Sequence, residues 1–159
     1  MIKVTEFEEQ IPSLLPVTLA LLKSANLTIH DQVRQITVHG SRGLAGCYRP
    51  DSDIDLCLIV DMGRHLPGSG LESFLQSVLE TTITNWRSST SLDLAIVFDS
   101  RHCGLKCFGL IAFDPQACPE GGADCFGLYK TQSGFKGIVT DAGVKVKLMY
   151  PCITIWKRR

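Results

Sequence analysis

Between Asp53 and Asp61 polar and apolar positions alternate one for one: Asp53, Asp55, Cys57, Ile59 and Asp61 fall on one side, Ile54, Leu56, Leu58 and Val60 on the other. A period of two predicts a β-strand with one apolar face, because successive side chains of an extended chain point to opposite sides. The alternation recurs from Ser91 to Asp99, where Leu92, Leu94, Ile96 and Phe98 oppose Asp93, Ala95, Val97 and Asp99. Between these segments Leu71, Phe74, Leu75, Val78, Leu79, Ile83 and Trp86 recur at helical spacing and predict an amphipathic helix. Ser69-x-x-Glu72 is a capping box at its start, after the turn-forming "HLPGSG", and "RSSTS" ends it. Upstream, "QITVH" (Gln35–His39) predicts a short strand ending at a Gly-Ser turn, and Arg42 to Cys47 a short helix beyond it. Leu14, Leu15, Val17, Leu19, Leu21 and Leu22 are apolar nearly all round a helix, which predicts a core helix. Thr5-x-x-Glu8 and Ser13 offer its start, with Pro16 tolerated in the first turn.

This order of elements predicts the α+β class, with residues 35–39, 53–61 and 91–99 as neighbouring strands of a mixed sheet covered by helices. From Arg101 onward Gly, Cys and Pro become frequent, and "FKGIVT", "VKVKLMY" and "ITIW" are β-like, with Asp141-Ala142-Gly143 as a turn between the first two. The expected organisation is a core over residues 1–100 and a β-rich extension over 101–159, either separate or sharing that core.

Composition narrows the class. At 159 residues, 45% hydrophobic and 20% charged, the chain suits one globular domain, not a disordered segment. No apolar run approaches the roughly 20 residues of a membrane span, and Glu6, Glu8 and Glu9 are wrong for a signal peptide. The expectation is a cytoplasmic protein without a membrane partner. A formal net charge of zero argues against a protein that lives by coating nucleic acid. The charge is uneven, however: residues 1–100 carry 7 Lys and Arg against 12 Asp and Glu, and residues 101–159 carry 9 against 4, or −5 and +5. Such a split is either chance clustering or an acidic half suited to a cation beside a basic half suited to an anionic substrate. Seven cysteines in a chain read as intracellular are expected to be thiols. Cys103, Cys107, Cys118 and Cys125 lie close together, yet their x3 and x6 spacings are not the short pairs of structural zinc, and small buried hydrophobes are the alternative.

The chemistry is concentrated in the strands. A strand puts Asp53 and Asp55 on one face, about 6 to 7 Å apart along the chain, and Asp93 takes the equivalent face one helix later. Three carboxylates held together repel one another unless a cation intervenes, and hard oxygen ligands select Mg²⁺ or Mn²⁺. A strand ending in Gly40-Ser41 presents backbone N–H groups and a hydroxyl to an anion such as phosphate. Singly these features are ordinary: a Gly-Ser pair is commonly a plain turn, and two aspartates are commonly the wet face of an edge strand.

Together, Gly40-Ser41, Asp53-x-Asp55 within "SDIDL" (Ser52–Leu56), and Asp93 in "LDLAIVFD" make residues 33–99 resemble the nucleotidyltransferases of the DNA polymerase β superfamily, in particular its minimal members. The resemblance implies a metal-dependent transfer of a nucleoside monophosphate from a nucleoside triphosphate to an acceptor hydroxyl, with pyrophosphate leaving. It implies that Asp53 and Asp55 bridge two Mg²⁺ (or Mn²⁺) ions. Asp93 would bind the catalytic ion beside the attacking hydroxyl, and Gly40 and Ser41 would hold the β and γ phosphates, with Arg42 or Arg49 adding a charge. Many relatives follow this core with a helical domain that grips the acceptor, where this chain reads β-like instead. The acceptor is accordingly open: a small molecule, an RNA end, or a protein hydroxyl, as modified by minimal nucleotidyltransferases that act as antitoxins. The competing expectation is a non-catalytic, antitoxin-like module of the same fold that binds nucleotide or a partner protein.

Overall fold

A computed structural model of the chain describes residues 1–60, 62, 70–99, 126–132, 136–140 and 151–159. The order of elements is β1 (Ile2–Lys3), α1 (Ile11–Leu14), α2 (Pro16–Ser24), β2 (Thr28–Ile29), β3 (Val33–His39), β4 (Ile54–Val60), α3 (Leu71–Asn85), β5 (Leu92–Asp99), β6 (Phe126–Lys130), β7 (Gly137–Val139) and β8 (Ile153–Lys157). Among the described residues six strands form one mixed sheet in the order β7-β6-β5-β4-β3-β8, while β1 and β2 pair separately. Only β4 and β5 run parallel within the six; the other neighbours are antiparallel. The α+β class and the neighbouring strands expected from residues 35–39, 53–61 and 91–99 are thus present. Strands β6, β7 and β8, from beyond residue 100, extend that same sheet on both sides.

Parallel pairing of β4 with β5 follows from what lies between them. Parallel neighbours need a long crossover, and α3 supplies it. Its Leu75, Val78, Leu79 and Thr82 are buried, and they join one core with Leu19 and Leu22 of α2 and with Ile36, Val38, Leu56, Leu58, Leu94, Ile96 and Phe98 of the sheet. The helices therefore cover the face that carries the even-numbered residues of β3, β4 and β5. The odd-numbered face departs from simple alternation, because Thr37, Cys57, Ile59, Ala95 and Val97 are buried as well. Those side chains are small or apolar, as in central strands enclosed on both faces. At the level of Asp55 and Asp93 this face becomes polar and partly accessible.

Local differences from the expected elements have identifiable causes. The apolar helix from Leu14 to Leu22 is broken at Leu15, whose backbone leaves the helical region (φ −135°, ψ 57°) immediately before Pro16. Proline lacks an N–H and its ring crowds the preceding residue, so Pro16 starts α2 and does not sit inside a longer helix. Leu14 and Val17 are consequently exposed, against the expected core helix. Thr5-x-x-Glu8 starts no helix; the Glu8 N–H instead donates to Ile155 O at 2.9 Å. Ser13 lies inside α1, with its hydroxyl on Gln10 O at 3.0 Å. The expected helix at Arg42–Cys47 is a run of turns, closed by Gly43 N–H to Gly40 O and Gly46 N–H to Gly43 O, in which Gly40 and Gly46 have positive φ. The residue before α3 is Gly70, with no side-chain cap; Ser69 and Asp61 lie outside the described residues. So do Cys103, Cys107, Cys118 and Cys125, the turn at Asp141–Gly143 and the "VKVKLMY" run. No helix among the described residues is long and apolar enough to cross a membrane.

Gly127 of β6 stands opposite Phe98 of β5, and a Cβ at Gly127 would fall on the Phe98 ring. Both residues belong to the interior, so Gly127→Ala should destabilise the fold by roughly 1–3 kcal/mol, the usual cost of overpacking a filled core. Urea unfolding should show the lost stability, and adding Phe98→Leu should recover part of it. An unchanged midpoint in Gly127→Ala would contradict this packing.

Candidate metal centre

Asp55 and Asp93 are direct partners in the parallel β4–β5 ladder, and His39 is the partner of Asp55 across β3. Three strands thus place His39, Asp55 and Asp93 in one row on the odd-numbered face. Asp53 stands just before β4 and completes a triad in which one carboxylate oxygen from each of Asp53, Asp55 and Asp93 lies within 4.8 Å of the others. Asp53 is the most open of the three. This group can hold a metal ion: its donors are all oxygens, and they converge without help from distant loops. Cys57, the next residue on this face, is fully buried with its thiol pushed up by burial, so it forms floor beneath the carboxylates.

The Gly-Ser turn reaches the triad in space. Gly40 has φ +71°, and a Cβ there would fall on the carboxylate of Asp55. Glycine is therefore required twice over, for the backbone conformation and for the close approach of a charged side chain. Ser41 follows as the first residue of the turn run and is half-buried.

Arginines that share this region are occupied differently. Arg42 is buried, and its Nε–H donates to Ser52 O at 2.8 Å, with Nη2 at 3.4 Å from both Arg49 O and Pro50 O. Its guanidinium also lies 4.8 Å from the Tyr48 ring centroid, and its own carbonyl accepts the Thr18 hydroxyl at 2.6 Å. These contacts bind the loop that delivers Asp53 to the turn that carries Ser41. Arg49 is exposed and faces Asp51 at 3.5 Å, a pair worth little in solvent. Its backbone N–H donates to the Ser52 hydroxyl at 2.8 Å.

Two residues of the centre carry no signal in the expected site. Lys130 of β6 donates to Asp93 Oδ2 at 2.9 Å, both side chains being largely buried. Gln132 takes over where the β5–β6 ladder ends: its side-chain oxygen accepts the Leu94 N–H at 2.6 Å, and its amide nitrogen donates to Leu92 O at 2.9 Å. The amide group thereby imitates one more residue of β6 and pins the backbone on both sides of Asp93. His39 is also a neighbour; its Nδ1 is buried with no hydrogen-bond partner among the described residues.

Electrostatics follow from this crowding. The Asp55 carboxyl is raised to about 7 by burial, then by the charges of Asp53 and Asp93 and a hydrogen bond with Asp93, against the pull of Lys130. His39 is lowered to about 4 by burial and then by the charge of Lys130, against Asp93, so it is a neutral imidazole at neutral pH.

Comparison with protein-family models, with curated proteins and with solved structures returned no match.

The two shifted groups act oppositely on stability. Asp55 binds its proton more tightly when folded than its ordinary value of 3.8 allows, so its contribution is complete below that value and is lost as pH rises through about 7. His39 is depressed from 6.5 to about 4, so its contribution is present above 6.5 and disappears as pH falls. The metal-free protein should therefore lose its advantage over Asp55→Asn steadily between pH 4 and 8, as followed by thermal midpoints in chelator. A constant difference across that range would contradict the burial and crowding of Asp55.

Proposed function

We propose that the protein is a metal-dependent nucleotidyltransferase of the DNA polymerase β type, moving a nucleoside monophosphate from a nucleoside triphosphate to an acceptor hydroxyl. One observation carries this reading: the Gly40-Ser41 turn and the three carboxylates, separated in sequence, meet in space, with Gly40 against the carboxylate of Asp55. An anion cradle beside a cation cluster suits a substrate that is itself a polyphosphate carrying a divalent ion.

The donor set fits Mg²⁺ or Mn²⁺, because it is all carboxylate, and burial together with the neighbouring charges of Asp53 and Asp93 already raises Asp55 to about 7 in the metal's absence. A bound divalent ion supplies the positive charge that neutralises the cluster and polarises phosphoryl oxygens. Asp53 and Asp55 would hold the metal–triphosphate complex, and Asp93 would add a carboxylate to the ion nearest the acceptor. Backbone N–H groups and the hydroxyl at Gly40-Ser41 orient the β and γ phosphates, and Arg42 supports this by fixing the loop before Asp53. Asp93 orients the acceptor hydroxyl and takes its proton as the acceptor oxygen bonds to the α phosphorus. The bond from the α phosphorus to the bridging oxygen breaks, and pyrophosphate carries away the electron pair. The acceptor class is a small molecule, an RNA end or a protein hydroxyl.

Mn²⁺ with a nucleoside triphosphate should raise the thermal midpoint by mass action, and the Asp53→Asn/Asp55→Asn double variant should lose that shift. Asp93→Ala should leave triphosphate binding within roughly tenfold, about 1.4 kcal/mol, while cutting pyrophosphate release by about a hundredfold or more. Binding and release measured on the same preparations separate the roles. A double variant with the full metal-dependent shift, or an Asp93→Ala variant with undiminished release, would contradict the assignment.

A further inference from the structure

The carboxylates of the centre already have a cation beside them. Lys130 Nζ is 2.9 Å from Asp93 Oδ2, and the two side chains are only 15% and 14% exposed. An ion pair that far from water is screened little by solvent. The groups facing Lys130 come from three neighbouring strands, namely Asp93 on β5, Asp55 on β4 and His39 on β3, and its charge is felt at both Asp55 and His39. Lys130 is thus a counter-ion to the centre as well as a partner of one residue.

A divalent ion drawing on Asp93 has to contend with this ammonium for the same carboxylate. Its approach also brings like charges together, which the half-buried setting screens poorly. The backbone of Asp93 does not have to move in the exchange, because the Gln132 amide holds Leu92 and Leu94 independently of the Asp93 side chain.

We propose that Lys130 is the resident counter-cation of the centre, displaced from Asp93 when a divalent ion binds, so that it holds the carboxylates together in the metal-free protein and sets metal affinity by competition. This rests on the reading of Asp53, Asp55 and Asp93 as a cation site. Gln132 is the accompanying positioning residue, keeping Asp93 in register while its carboxylate changes partner.

One substitution should then have two effects of opposite sign. Lys130→Met keeps the apolar stem and removes the charge. The metal-free protein should melt at a lower temperature, since a largely buried carboxylate has lost its ammonium counter-ion. The same variant should bind Mn²⁺ about tenfold or more tightly, since both competitor and repulsion are gone. A lysine with a merely structural role would lower stability and metal affinity together.

The test is calorimetric titration of the metal-stripped full chain with MnCl₂ alone, paired with thermal melts in chelator. Lys130→Arg, which keeps the charge, should stay within about threefold of wild type. Lys130→Gln drops the charge but keeps a donor for Asp93, and it gives the same comparison if the methionine variant does not fold. A folded, charge-less variant that binds Mn²⁺ no more tightly than wild type overturns the proposal while leaving the cation site standing. Absence of Mn²⁺ binding in wild type and variants alike overturns the site itself.

Discussion

Asp55 and Asp93 occupy the same level of two hydrogen-bonded parallel strands, and Asp53 reaches the same place from the end of one of them. Burial and, after it, the like charges of Asp53 and Asp93 raise the Asp55 carboxyl to about 7. The surrounding structure enforces the arrangement. The α3 crossover makes β4 and β5 parallel, the apolar even-numbered face locks their register, and a slip of one residue would bury the aspartates among the helices. The fold therefore holds a repulsive cluster in place with the energy of its core. Lys130 offsets part of that repulsion, and a divalent cation would offset more of it.

Rigid elements converge on this point from every side. Gly40 gives the Asp55 carboxylate the room that a side chain would take. Arg42 ties the loop of Ser52 to the turn after β3, so Asp53 is delivered by a braced segment. Gln132 replaces a missing strand residue beside Asp93. Each support acts on a different member of the triad, and together they fix the three carboxylates in place before any ligand arrives.

The sequence discloses the parts of this centre that periodicity governs. Residues 54–60 and 92–99 alternate with period two and residues 71–85 repeat at helical spacing, so β4, α3 and β5 and the shared face of Asp55 and Asp93 could be read directly. Where a single residue decides the backbone, pattern is a poor guide: Pro16 divides an apolar run that looks continuous, and glycines at positive φ turn the segment after Ser41 away from a helix. Arg42 illustrates a second limit. Its charge suggests an anion ligand, but its guanidinium is spent on loop carbonyls. Lys130 and Gln132 illustrate a third, since each meets β5 from more than thirty residues away. The only local sign is a lysine closing the otherwise apolar run Phe126–Tyr129, whose Gly127 interrupts the alternation that would mark a strand.

Nucleotidyl transfer differs from every other use of a metal–triphosphate complex in which phosphorus reaches the acceptor. The most direct measurement is therefore to supply the protein and Mg²⁺ with triphosphates labelled at the α or at the γ phosphate, alongside the Asp53→Asn/Asp55→Asn variant, in the presence of candidate acceptors. Under nucleotidyl transfer, α label becomes covalently attached to an acceptor while γ label leaves as pyrophosphate, and both events vanish in the variant. Attachment of γ label, or transfer of α label that survives loss of both aspartates, would contradict it.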